Sequence, residues 1–159
     1  MAAALDTVGI FAQRISFTRR RPGGDYAAEI EDVRRARDAL IARGYQGVAL
    51  VGRSFGGRMC TLLAETEPPT ALVLLGHPIS PPRRPRPRDE AALQAVQCPT
   101  LIVQGERDVL GPLPVLERIA RANAHIELHV LPGVGHQFGP RQRDAVTHAA
   151  TWLRTIRAL

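Results

Sequence analysis

The sequence predicts an α/β fold, a mostly parallel sheet of about five strands with helices on both faces. Three observations predict it. Strand-like and helix-like segments alternate from end to end. Val48–Val51 and Ala71–Leu75 are short continuous apolar runs, the pattern of strands covered on both faces. Glycine or proline punctuates the segments, and no linker or internal repeat divides the chain, so residues 1–159 read as one domain.

The elements follow in order. Val8–Phe17 reads as the first strand. Asp25 is placed to cap a helix running to about Arg43, with Tyr26, Ile30, Val33, Ala36 and Leu40 forming one apolar stripe and Gly44 as its stop. Val48–Val51 is the second strand. A small-residue turn and a helix follow, closed by Pro68-Pro69, and Ala71–Leu75 is the third strand. The stretch from His77 to Arg88 is a Pro/Arg-rich loop. Asp89 is placed to cap a short helix, Glu90 to Val96. Thr100–Gln104 is a strand, about Leu113 to Ala122 a helix, Ile126–Leu131 the last strand, and about Arg141 to Arg157 the last helix.

The bulk numbers narrow the function. Hydrophobic residues make up 45% of 159 residues, enough for a core. No apolar run approaches the roughly 20 residues of a membrane span, so no membrane association is expected. Met1–Asp6 lacks a basic region and reads as no signal peptide. Cys60 and Cys98 sit in no metal or redox spacing; they read as buried free thiols in a reducing cytoplasm, with no metal or other cofactor. The net charge is +6, and every basic residue is arginine. Arg19–Arg21 and Arg83–Arg88 fall in loop-like sequence beside Gly or Pro. Solvated loops explain them better than a nucleic-acid site, which concentrates charge on a recognisable motif or face. A small-molecule substrate is the expected partner.

Three residues carry chemistry, each at the carboxyl end of a strand, where active groups gather in such sheets. Gly52-Arg53-Ser54-Phe55-Gly56 is G-x-S-x-G between a buried strand and a helix, the setting of a nucleophile elbow. Gly52 and Gly56 permit the cramped turn, since a Cβ at either would collide with the neighbouring strand or helix. The turn lifts the Ser54 hydroxyl above the sheet. It also sets the Phe55 N–H at a helix start, ready to donate to a developing oxyanion. Asp108, four residues past Gln104, can hold an imidazole in one tautomer, with Glu106 as the local competitor. His136, on a glycine-bearing loop after the last strand, can take a proton from Ser54 and return it to a leaving group. Arg53 and His77, the latter directly after a strand, are candidates for the substrate side. The order Ser, Asp, His differs from the orders of the chymotrypsin and subtilisin types.

On these residues the chain resembles an α/β-hydrolase from about Val8 to its C-terminus. It looks closest to a small subgroup related to dienelactone hydrolases, whose elbow reads G-x-R-S-x-G-G-R. Here that is Gly52-Arg53-Ser54-Phe55-Gly56-Gly57-Arg58, with Gly52 nearest to the leading glycine. Gly76-His77-Pro78 and Leu101–Asp108 also look typical of the subgroup. The resemblance implies hydrolysis and no particular substrate. Dienelactone hydrolases proper use a cysteine where Ser54 stands. In the family, about three strands and a helix precede the segment matching Val8–Phe17. One of those strands lies between the matches of Val8–Phe17 and Val48–Val51, and its loop supplies a second oxyanion donor. Only seven residues precede Val8. The expectation is a longer protein beginning upstream, or else a shortened form with a rearranged sheet.

The expected function is therefore a serine hydrolase acting on an ester- or thioester-type acyl substrate through Ser54, His136 and Asp108. The alternative is a catalytically impaired binding or interaction module of the same fold.

Overall fold

Four strands form one sheet in the order in which they occur along the chain. They are β1 (Ala49–Arg53), β2 (Ala71–Leu75), β3 (Thr100–Gly105) and β4 (Ile126–Leu131), all parallel. The structure, a computed structural model, describes residues 1–156. β2 and β3 are buried at every position, which is why their sequences show no polar alternation.

Successive side chains of a strand point to opposite faces, and this splits the core in two. Leu50, Leu72, Leu74 and Ile102 face one way; Val73, Leu75, Leu101 and Val103 face the other. Sequential strand order with crossovers of one hand puts every crossover helix on the same face. Accordingly α3 (Phe55–Ala64), α4 (Pro87–Ala95) and α5 (Leu113–Ala122) cover the first face, joined by α2 (Ala27–Ala42). The second is covered by α6 (Gln142–Leu153) and by α1 (Ala2–Asp6), a helix the sequence reading did not foresee. Among the described residues no helix is long and apolar enough to cross a membrane.

The sheet has four strands, not about five, because Val8–Phe17 is not a strand. Its alternating pattern is real, but a strand needs a hydrogen-bonding neighbour about 4.8 Å away. None is there among the described residues. The amides of residues 11–17 find no backbone acceptor among the described residues. A cavity of about 680 Å³ is lined both by this segment, through Ile10, Ala12 and Ile15, and by Ala49, Val51 and Arg53 of β1. Side chains hold the segment instead. Phe11 stacks on Tyr45 at 5.4 Å under the Arg43 guanidinium, and Phe17 meets Phe55 edge-on at 5.2 Å. Thr18 donates both its N–H and its hydroxyl to Asp32, each at 2.7 Å. β1 consequently pairs on one side only. Ser54 N–H donates to Leu75 O, so by alternation Ala49, Val51 and Arg53 turn their backbone groups away from β2.

Two helix starts also differ from expectation. Tyr26, with φ at 59°, takes the cap position of α2, while Asp25 accepts the Ala27 N–H at 3.2 Å. α4 begins at Pro87, whose fixed φ suits a first helical turn, so Asp89 lies inside the helix and is free to pair elsewhere. Gly44 follows α2 at φ 92°, the expected left-handed stop. α6 ends at Leu153, preceded by a 3₁₀ turn over Gly139–Arg141; the expected helix end at Arg157 lies outside the described residues.

Candidate active site

The site is built where β1 turns into α3. Ser54 holds φ 49° and ψ −118°, a conformation that costs a non-glycine residue about 1–3 kcal/mol. Close packing imposes it. A Cβ on Gly52 would sit 2.5 Å from both Cα and N of Gly57, so the strand end and the first helical turn are in backbone contact. At Gly56 a Cβ would meet nothing within 4 Å, which corrects the expectation that both motif glycines are sterically required. Gly52→Ala is therefore expected to lower stability by at least about 1–3 kcal/mol through overpacking, and Gly56→Ala to cost nothing. Thermal melts of the two variants check this; equal melting temperatures would contradict the packing. Phe55 opens α3, so its N–H belongs to the first-turn amides that no intrahelical acceptor satisfies. It stands beside Ser54 as a hydrogen-bond donor.

Asp108 and His136 arrive from the ends of β3 and β4. The β3 end is pressed against the His136 loop. Arg107 N–H donates to Val134 O at 2.8 Å, and a Cβ on Gly105 would run into the Val134 carbonyl. Asp108 is 3% exposed. Its Oδ1 accepts the Leu110 N–H at 2.9 Å, and its Oδ2 accepts His136 Nδ1–H at 2.8 Å. With the proton on Nδ1, His136 Nε2 accepts the Ser54 hydroxyl at 2.8 Å. The structure thus brings 54, 136 and 108 into one hydrogen-bonded chain. Glu106, the competitor, turns away and accepts the Gly133 N–H at 2.7 Å.

The two substrate-side candidates have other surroundings. Arg53 donates to Gln137 O at 3.1 Å, Gln137 Oε1 at 3.0 Å and Gln142 Oε1 at 3.2 Å, with its guanidinium 5.7 Å from the Phe138 ring centre. It braces the loop that carries His136. His77 is completely buried, so it lies beneath the site and not on its wall. Burial pushes its imidazole down to about 4, against the pull of Asp89, so the ring is neutral at physiological pH. Neither ring nitrogen has a hydrogen-bond partner among the described residues.

Sequence reasoning missed two buried features around these residues. Gln104 is fully buried and bonded to Asp108. Arg58, one turn beyond Ser54, forms a buried ion pair with Asp89. A glutamine ending the apolar run Leu101–Val103, and an arginine in an otherwise apolar helix, were the available signals.

The remaining candidate groups are plainer. Both cysteines are buried and free, and burial pushes the Cys60 thiol up to about 12. In the second arginine cluster, Arg86 donates to Pro78 O at 2.6 Å, and Arg88, expected in the loop, lies in the first turn of α4 and pairs with Glu65. Among the described residues no three His, Cys, Asp or Glu side chains converge as metal ligands. The 680 Å³ cavity borders the elbow through Gly52, Arg53 and Gly56, but neither Ser54 nor His136 lines it.

Comparison with known proteins agrees with this architecture. A family model described as an alpha/beta hydrolase domain matches residues 10–159. No curated protein matches the chain. Among solved structures, an alpha-beta serine hydrolase homologue from Coxiella burnetii is 21% identical with a TM-score of 0.72, over 98% of this chain and 73% of that one. The esterase domain of a Rhodothermus marinus protein is 19% identical with a TM-score of 0.72, over 99% and 76%. Est1E from Butyrivibrio proteoclasticus is 15% identical with a TM-score of 0.68, over 83% and 71%. At these identities the likeness concerns the fold.

Proposed function

The chain belongs to the alpha/beta-hydrolase family, and on that premise we propose that it is a serine hydrolase acting on an ester- or thioester-type acyl substrate. A fold alone does not assign an activity. The observation that carries the reading is the chain of hydrogen bonds from Ser54 through His136 to Asp108, at 2.8 Å per step, set above a strained strand-to-helix turn.

In this reading the Ser54 oxygen attacks the substrate carbonyl and its proton passes to His136 Nε2. Asp108, anionic and held by buried donors, stabilises the imidazolium that forms. The Phe55 N–H donates to the oxyanion of the tetrahedral intermediate. The intermediate collapses as His136 returns the proton to the leaving alcohol or thiol. Water then repeats the sequence on the acyl-serine, releasing the acid and restoring Ser54. Small-molecule turnover fits the extended match to hydrolase structures better than nucleic-acid binding does. Two buried free thiols fit a reducing cytoplasm.

A fluorophosphonate probe tests the proposal directly. It is expected to label the protein at Ser54, with labelling abolished in Ser54→Ala and in His136→Ala. A folded wild-type protein that takes up no probe would refute the enzymatic reading. It would favour the second reading, an interaction module of the same fold.

A further inference from the structure

We infer that Gln104 is a positioning residue, one that fixes the Asp108 carboxylate toward His136 and makes the activity depend on a donor at this position. The inference rests on the hydrolase reading above. Gln104 ends the apolar run of β3, is 0% exposed, and uses each polar atom of its amide. Its Oε1 accepts the His77 N–H at 2.8 Å. Its Nε2 donates to Asp108 Oδ2 at 2.8 Å and to Gly111 O at 3.0 Å.

These partners leave the amide one orientation. Turned over, it would set an NH₂ against the His77 N–H and an oxygen against both the carboxylate and the Gly111 carbonyl. Each contact would then oppose like with like, in a place no solvent reaches. The donor is therefore aimed at Asp108 Oδ2, the same oxygen that accepts His136 Nδ1–H. With Leu110 N–H on Oδ1, the carboxylate has a donor on each oxygen and two on the one that faces the imidazole. Donors on both oxygens hold the plane of the carboxylate against the imidazole. Gln104 also joins three strand ends through one side chain. It grips the residue after Gly76 at the end of β2, the loop at 108–111 after β3, and through Asp108 the histidine after β4.

The substitution Gln104→Glu separates a positioning role from a merely structural one. The new side chain has nearly the same shape. Protonated, its O–H can still donate to Asp108 while its carbonyl oxygen accepts from His77. Ionised, it has no donor and sets a second negative charge against Asp108. Fluorophosphonate labelling of the wild type and of the variant is followed across the same pH range. In Gln104→Glu the rate relative to the wild type is expected to fall as the pH rises and the introduced carboxyl loses its proton. Gln104→Leu, lacking the donor at all pH values, should label roughly 100-fold more slowly at the wild-type optimum, the size of penalty a misplaced group carries.

The second readout does not need turnover. The low-field proton resonance of His136 Nδ1–H reports its bond to Asp108. It should move upfield or vanish in Gln104→Leu, and in Gln104→Glu only at high pH. If Gln104→Glu keeps the wild-type pH profile and the resonance is unchanged in the variants, the inference is overturned. If the wild type is not labelled, the hydrolase reading fails, while the resonance still decides whether Gln104 sets the Asp108–His136 bond.

Discussion

Asp108→Asn is expected to slow fluorophosphonate labelling by about 10⁴-fold while leaving the fold intact. The carboxylate meets three N–H donors, and no orientation of an amide satisfies them all. With the amide oxygen at the Oδ2 position, its NH₂ points at the Leu110 N–H, donor against donor. With the NH₂ at Oδ2, it faces the Gln104 NH₂ and requires His136 Nδ1 to accept. That second arrangement moves the imidazole proton to Nε2, where it confronts the Ser54 hydroxyl and removes the base. Either way the site loses the tautomer it needs or strands a buried donor. Labelling rates and a circular dichroism spectrum of the variant check this. A variant labelling within tenfold of the wild type would remove Asp108 from the proposed machinery.

Asp89→Ala is expected to destabilise the protein by about 3–5 kcal/mol, the cost of leaving a buried charge without its partner. Arg58 and Asp89 each leave 6% of the side chain exposed, and two hydrogen bonds join them between α3 and α4. The Arg58 guanidinium also lies 4.7 Å from the centre of the Tyr26 ring. Burial works against the Arg58 charge, but Asp89 and Tyr26 together outweigh it, and the net effect strengthens its hold on the proton. Replacing both partners with apolar residues of similar volume, Arg58→Met with Asp89→Leu, is expected to restore most of the loss. Urea titrations of the single and double variants measure this. A single variant within about 1 kcal/mol of the wild type would mean that the pair does little for stability. The consequence reaches the site, since Arg58 sits one turn beyond Ser54 on α3 and its N–H donates to Ser54 O at 3.2 Å.

Much of this was legible in the sequence, for identifiable reasons. The apolar run at 71–75 marks a central strand because burial on both faces removes polar residues from it. Ser54, Asp108 and His136 were legible because strand ends and glycine turns are local signals. Gln104 was not, because its role depends on three partners brought together only by the folded strand ends. The Arg58–Asp89 pair was hidden likewise. Asp89 reads locally as a helix cap, and only the packing of α3 against α4 gives it a different task. Val8–Phe17 misled for the opposite reason. Its pattern is that of a strand, but pairing is a property of two segments and no pattern in one of them guarantees the other.

The one-sided pairing of β1 also bears on how copies of the molecule meet. β4, at the opposite margin, carries the exposed Glu127, and a charge on an edge strand discourages strand-to-strand contact between molecules. β1 has no such guard before Arg53: Ala49, Leu50, Val51 and Gly52 make it a short greasy template without proline or charge. The segment at Ile10–Ile15 stands across the cavity from this edge, and the long-range repulsion of a chain of net charge +6 adds to that cover, a repulsion whose reach salt shortens to about 3 Å at 1 M. Colloidal behaviour is thus expected to depend on ionic strength through the same β1 edge, unpaired among the described residues, that borders the cavity.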